Sequence, residues 1–204
     1  FLPLAKAEKF KKAPLGLKYS LITYNQGPAP YFLEYLRPKL LQWCRDHRKE
    51  NGDAYNLYTD GLKIHTTVDF QLQQYATGAL KAHLKTVQAV FDAQWKSSKP
   101  WSADPSILER AVKRTDRYKN GKAAGKSHQE IMKAFSKPIQ TALFSWEGLH
   151  TVKTTPLDSL KHYLTMLNAG MMVMENRTGA IKAWVGGIDF RFFKLDYCTV
   201  ARQV

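Results

Sequence analysis

The sequence lacks any run of about 18 consecutive apolar residues, so no stretch reads as a membrane-spanning helix. It also lacks a secretory leader: Phe1–Leu4 is apolar, but Lys6, Lys9, Lys11 and Lys12 follow at once and leave no hydrophobic region. The chain starts on Phe1 rather than Met, and both ends read as cut. Cysteine is scarce. Cys44 and Cys198 stand far apart in no metal-binding spacing, and the 6 histidines form neither H-x-x-x-H nor H-E-x-x-H. No metal and no cofactor is expected. His83 falls on the apolar side of a helical pattern, which predicts a packed histidine rather than a ligand. There is no phosphate-cradling glycine loop, no internal repeat and no low-complexity segment. Acidic residues are few, 17 against 31 Lys and Arg, which leaves a formal net charge of +14. Such a surplus attracts polyanions without choosing among them. A solvated basic surface explains it equally well.

What is present is a core-forming chain, 44% hydrophobic and 12% aromatic, long enough for one or two domains. Residues 1–16 read as a basic helical tail, and Asn25-Gln26-Gly27-Pro28-Ala29-Pro30 as a loop. Leu33, Leu36, Leu40, Trp43 and Cys44 recur at helical spacing; Pro38 marks a first turn or a kink, and Gly52 suits the cap of that helix. Asp60-Gly61 between Asn56–Thr59 and Leu62–Thr66 predicts a two-residue hairpin. Thr67 or Asp69 can cap a long helix whose apolar stripe is Leu72, Ala76, Leu80, Leu84, Val87, Phe91 and Trp95. A helix over Asp104–Tyr118 carries Lys113, Arg114 and Arg117 on its polar side, and Lys119 to Lys126 reads as a basic loop. Ser127 to Glu130 has capping-box spacing. Strands are expected at Pro138–Phe144 and Leu149–Lys153, a helix from Thr155-Pro156-Leu157-Asp158 to about Asn168–Gly170, and a hairpin of Met171–Met174 with Ala180–Val185. Both strands of that hairpin are nearly all apolar, which predicts a sheet covered on both faces.

Two segments carry more than local structure. Gly61-Leu62-Lys63-Ile64-His65-Thr66-Thr67-Val68-Asp69-Phe70-Gln71-Leu72-Gln73 resembles a signature of the penicillin-binding transpeptidases, a strand G-x-x-I-x-T-T-apolar-D leading into a helix. Met174-Glu175-Asn176-Arg177-Thr178-Gly179-Ala180-Ile181-Lys182-Ala183-Trp184-Val185-Gly186-Gly187 resembles that family's hairpin, with Glu175-Asn176 where Asp-Pro is usual. Asp196 and Ala201-Arg202-Gln203-Val204 are similar to the approach to its active site. Ala5–Leu15 and Pro28-Ala29-Pro30-Tyr31-Phe32-Leu33-Glu34 resemble the segment that follows the glycosyltransferase domain in bifunctional, class A members.

The resemblance implies an α+β fold. Residues 1–61 would be the tail of a glycosyltransferase region and an inter-domain linker, and 62–96 the first strand and long helix of a transpeptidase domain. Residues 97–155 read as a mixed α/β, lineage-specific insertion, and 156–204 as a helix and hairpin. The parent would polymerise glycan strands and cross-link peptides of peptidoglycan on the extracytoplasmic face of a bacterial inner membrane, anchored by an upstream helix. Its partners would be lipid-linked glycan, stem peptides and β-lactams. Such chemistry needs a serine with a lysine one helical turn later, because a hydroxyl attacks only once a base takes its proton. No S-x-x-K, S-x-N or K-T-G occurs, and Arg177-Thr178-Gly179 imitates the last only in a turn. No catalytic residue is therefore expected in the chain, and the nucleophilic serine is expected just after Val204. A basic contact from the insertion to wall polymer or lipid, and self-association, are further expectations. The competing reading is a self-contained basic module for nucleic acid or anionic polymer, built on Arg110–Lys126 with Trp95, Trp101 and Tyr118 for stacking. No helix-turn-helix, zinc-finger or RNP signature accompanies it, and no nucleic-acid partner is expected.

Overall fold

The computed structural model describes residues 3, 6, 11, 27–96 and 98–200. Most of the tail read over 1–16, Asn25 and Gln26 of the next loop, and Ala201–Val204 lie outside the described residues. The chain is α+β. Helix α1 (Pro30–Asp46) opens on a proline, whose missing N–H costs nothing in a first turn, and runs on through Pro38. It ends at Asp46, short of Gly52. The His47 ring Nδ1 and the His47 backbone N–H both donate to the Trp43 carbonyl, at 2.8 and 3.0 Å, and close the helix there. Gly52 instead turns a small loop closed by a bridge between Arg48 and Ala54.

The hairpin read at residues 56–66 does not form. The Asn56 backbone N–H donates to Asp60 Oδ2 at 2.7 Å, and the Tyr58 N–H to Asn56 Oδ1 at 2.9 Å. These local side-chain acceptors take the donors that a ladder would need, leaving a tight turn, and residues 62–68 join no helix or strand. Asp69, rather than Thr67, caps helix α2 (Phe70–Gln94), accepting from the Leu72 N–H at 2.9 Å. The buried face of α2 is Gln73, Ala76, Leu84 and Gln88, so the apolar stripe is rotated from the one read in the sequence: Leu72 and Trp95 are exposed. His83 is exposed too, not packed.

After short α3 (Pro100–Ala103) the helix read over 104–118 breaks in two: α4 (Ser106–Arg114) and α5 (Asp116–Ala123). Thr115 breaks it. Its extended backbone and its hydroxyl, 3.2 Å from the Tyr118 N–H, start a new helix. The stretch Lys119–Lys126 is thus largely helical, and Arg117 and Lys119 sit on a different helix from Lys113 and Arg114. Helix α6 (His128–Phe135) has the full capping box of Ser127 and Glu130. Strands β1 (Ile139–Ser145) and β2 (Gly148–Thr154) pair antiparallel as expected. Helix α7 (Pro156–Thr165) is capped by Thr155 and stops before Asn168. Val112, Tyr118, Ile131 and Phe135 form a core with Leu157 and Leu160, so α4 to α7 carry a hydrophobic centre of their own.

The chain closes with β3 (Met171–Met174) and β4 (Ile181–Val185), antiparallel with an irregularity between Val173 and Met174. Gly179 takes the positive φ, +71°, that this turn demands. Glu175, standing where the family has Asp, accepts the Thr178 hydroxyl at 2.6 Å and holds the turn. Only β4 is covered. Ala183, Trp184 and Val185 are buried against α1 and α2, whereas Met171, Met172 and Met174 of β3 are exposed, so the expectation of a sheet covered on both faces fails for β3 among the described residues.

Candidate functional site

The two segments that carry the family resemblance meet in space. Thr67 Oγ1 donates to the Ile181 carbonyl at 2.7 Å and the Asp69 N–H to the Lys182 carbonyl at 2.9 Å. One turn into α2, Gln73 Nε2 donates to the Trp184 carbonyl at 2.9 Å, while Gln73 Oε1 accepts from the Trp184 N–H at 2.7 Å. The side-chain amide does for the free edge of β4 what a neighbouring strand would do. Gln73 is 1% exposed, so no water competes for these bonds.

Trp184 is the hub. Its ring packs with Phe32 and stacks on Tyr35 of α1, with centroids 6.0 and 4.8 Å away. Its indole N–H donates to Asp196 Oδ2 at 3.0 Å. Asp196 Oδ1 accepts from the Cys198 N–H at 2.9 Å, and its carbonyl accepts from the N–H groups of Thr199 and Val200. Asp196 therefore fixes the last described turn to the sheet, directly ahead of residues 201–204. Cys198 Sγ lies 3.4 Å from the Val185 carbonyl, and burial first, then the charge of Asp196, pushes its thiol up to about 11. Both cysteines are free.

Gly186-Gly187 follows β4 because α1 comes very close. A Cβ on Gly186 would lie 2.6 Å from the Tyr31 ring, and one on Gly187 2.9 Å from it. The Tyr31 hydroxyl donates to the Phe193 carbonyl at 2.6 Å. Burial, then the charges of Asp189 and Asp196, raise that hydroxyl well above its ordinary range, so it stays a donor. Asn168 Oδ1 accepts from the Ile188 N–H at 3.0 Å. In Asp189, burial opposes the charge, but hydrogen bonds from Arg191 outweigh it and keep the carboxyl below its usual range.

A second glutamine ties the end of α7 to this frame. Gln88 Nε2 donates to the Thr165 carbonyl at 3.0 Å, and Gln88 Oε1 accepts from the Leu167 N–H at 2.8 Å. Phe144 of β1 packs with Leu84 and Ile188, and its carbonyl accepts from His162 Nε2 at 2.8 Å. The basic cluster that favoured the competing reading is partly neutralised: Arg110 pairs with Asp104, Lys113 with Glu109 and Lys119 with Asp116. Tyr118 is buried against His128 and offers no stacking face. Among the described residues no group of His, Cys, Asp and Glu is arranged to hold a metal ion. The Tyr118 hydroxyl lies 3.1 Å from His128 Nδ1, inside the core of α4 to α7. The arrangement positions backbone: Asp69, Gln73, Gln88 and Asp196 each bond main-chain groups distant from or beyond their own turn.

A family model described as the penicillin-binding protein middle domain matches residues 92–167. Similarity also extends to penicillin-binding protein 1A of Rickettsia bellii (strain RML369-C), 26% identical over 194 residues, covering 85% of this chain and 24% of that protein. No solved structure matches. Both matches are to penicillin-binding proteins, and together they support a fragment of the class A kind. The chain spans about a quarter of the length of the curated relative. The matched middle-domain residues take in the whole of 97–155.

Proposed function

We propose that this chain is the non-catalytic frame of a bifunctional peptidoglycan synthase, joining a glycosyltransferase region to a transpeptidase domain and presenting the serine-bearing segment of the latter. The observation that supports this most is the bonding of the Gly61–Gln73 signature to the Met174–Gly187 signature through Asp69 to Lys182 and Gln73 to Trp184, pairs 113 and 111 positions apart. In this reading residues 62–96 and 156–204 build the start of the transpeptidase domain, and residues 92–167 form a module docked on it by Gln88 and Phe144. The parent would act on lipid-linked glycan and on stem peptides outside the cytoplasm. No helix among the described residues is long and apolar enough to cross a membrane, so a membrane anchor would come from elsewhere in the parent. The uncovered edge of β3, with its exposed methionines, favours self-association of the isolated chain.

The test is covalent labelling. The 204-residue chain, incubated with a fluorescent penicillin, should give no band on a denaturing gel, and the chain extended through the following reading frame should give one. A band on the 204-residue chain, or a reading frame that does not continue into Gly-Ser-x-x-Lys, would overturn the proposal.

A further inference from the structure

Two clefts on one side of α2, about 360 and 320 Å³, share Lys81, Asp189 and Arg191 and so form one groove. Its walls are α2, the turn between β1 and β2, and the loop that leaves β4. Lys81 and Lys85 are one helical turn apart on the same face of α2. Lys85 pairs with Glu147 at 3.0 Å, and Arg191 with Asp189 at 2.6 Å. The charge of Lys81 helps to keep the Asp189 carboxyl low, but Lys81 makes no ion pair within 4.0 Å among the described residues. The groove therefore has three cations against two anions, and the unmatched ammonium stands where the clefts join. The wall also holds Trp146, whose buried indole N–H has no acceptor. A desolvated donor without a partner is costly, and a rearrangement that brings an acceptor to it is favourable.

We infer that this groove binds a carboxylate borne on a peptide, with Lys81 as its cation and the Trp146 turn closing on it. An unpaired ammonium flanked by two ion pairs selects a single negative charge, since a second would meet Asp189 or Glu147. The joined clefts and the apolar ring of Phe144 suit an extended ligand better than a lone ion. The site lies where the 92–167 module meets the loop that leads to Asp196, so occupancy would tighten that junction.

The experiment is a ¹⁵N-resolved titration of the full 204-residue chain, reading the Trp146 indole resonance. The probes are an acetylated Ala-Glu-Ala amide, its Gln counterpart, and sodium acetate. The Glu peptide should shift the resonance saturably, and the Gln peptide should bind at least about tenfold more weakly. Acetate binding as well as the peptide would assign the site to free carboxylates, and weaker binding to peptides. Lys81→Met should weaken the Glu peptide about tenfold, while Lys113→Met leaves it unchanged. No saturation by peptide or acetate below about 10 mM, equal binding of the Glu and Gln peptides, or Lys81→Met binding like the parent would overturn the inference.

Discussion

Gln73 and Trp184 exchange two hydrogen bonds through one side-chain amide, at 2.9 and 2.7 Å, in a site closed to water. Gln73→Met keeps the volume and removes both partners, leaving a buried N–H and a buried C=O unpaired. Each such group costs about 1–3 kcal/mol, so a loss of roughly 2–6 kcal/mol is expected in urea unfolding. Gln73→Glu keeps an acceptor for the N–H but sets a carboxylate against the Trp184 carbonyl. Its acidic form restores the donor, so the deficit relative to the parent should shrink as pH falls. A pH-independent deficit in Gln73→Glu would show that the amide nitrogen contributes nothing.

Gln88 makes the same kind of bond to the backbone at Thr165 and Leu167, so it should govern how firmly the 92–167 module is held. Gln88→Met is expected to speed hydrogen exchange at the Leu167 amide while leaving the Ile131 and Phe135 core protected, because that core is local. Equal loss of protection at both places would mean that the module has no independent stability.

These two glutamines also show where the sequence is legible and where it is not. The capping box at Ser127, the Ser145–Gly148 turn and the Gly179 hairpin are readable because each is set by neighbours in the chain. The buried stripe on α2 departs from the apolar pattern at Gln73 and Gln88, which are polar by type yet buried. Gln73, Ala76, Leu80, Leu84 and Gln88 share one face, and a pair of amides on it signals backbone to be satisfied elsewhere. The hairpin at residues 56–66 failed because Asn56 and Asp60 satisfy their own backbone. The helix over 104–118 split because Thr115, unremarkable in composition, is a capping residue in mid-pattern. The Lys81 groove joins three separate segments and has no local signature at all.

Gly187 and Tyr31 should prove coupled. A methyl group on Gly187 would run into the Tyr31 hydroxyl and lie 2.9 Å from its Cζ, so Gly187→Ala is expected to cost about 1–3 kcal/mol through displaced packing. Tyr31→Phe removes the oxygen and forfeits the bond to the Phe193 carbonyl, about 1–2 kcal/mol. In the double variant part of the clash is gone. The combined loss should fall short of the sum by about 1 kcal/mol, measured as a double-mutant cycle by chemical unfolding. Strict additivity would place the strain of Gly187→Ala against Asn168 instead.

Cys198 offers the sharpest pH test. Its thiol is pushed up to about 11 by burial and by Asp196, and it donates weakly to the Val185 carbonyl. The thiolate is the reactive form, so the native chain should resist a disulfide reagent at pH 8, where an ordinary cysteine reacts readily. Cys44 is buried and Cys198 half-buried, so two thiols should appear together only on denaturation. The same shift bears on stability. Between its ordinary value of 9.0 and about 11 the folded chain holds a proton that the unfolded chain has lost, so stability falls as pH rises through that interval. Asp196→Asn removes the negative charge and retains an acceptor for the Trp184 indole. It should lower the thiol pKa, raise reactivity at pH 8 and flatten the alkaline decline. If Asp196→Asn leaves both the reaction rate and the alkaline profile unchanged, the Asp196 charge has no hold on Cys198. Burial alone would then keep the thiol protonated.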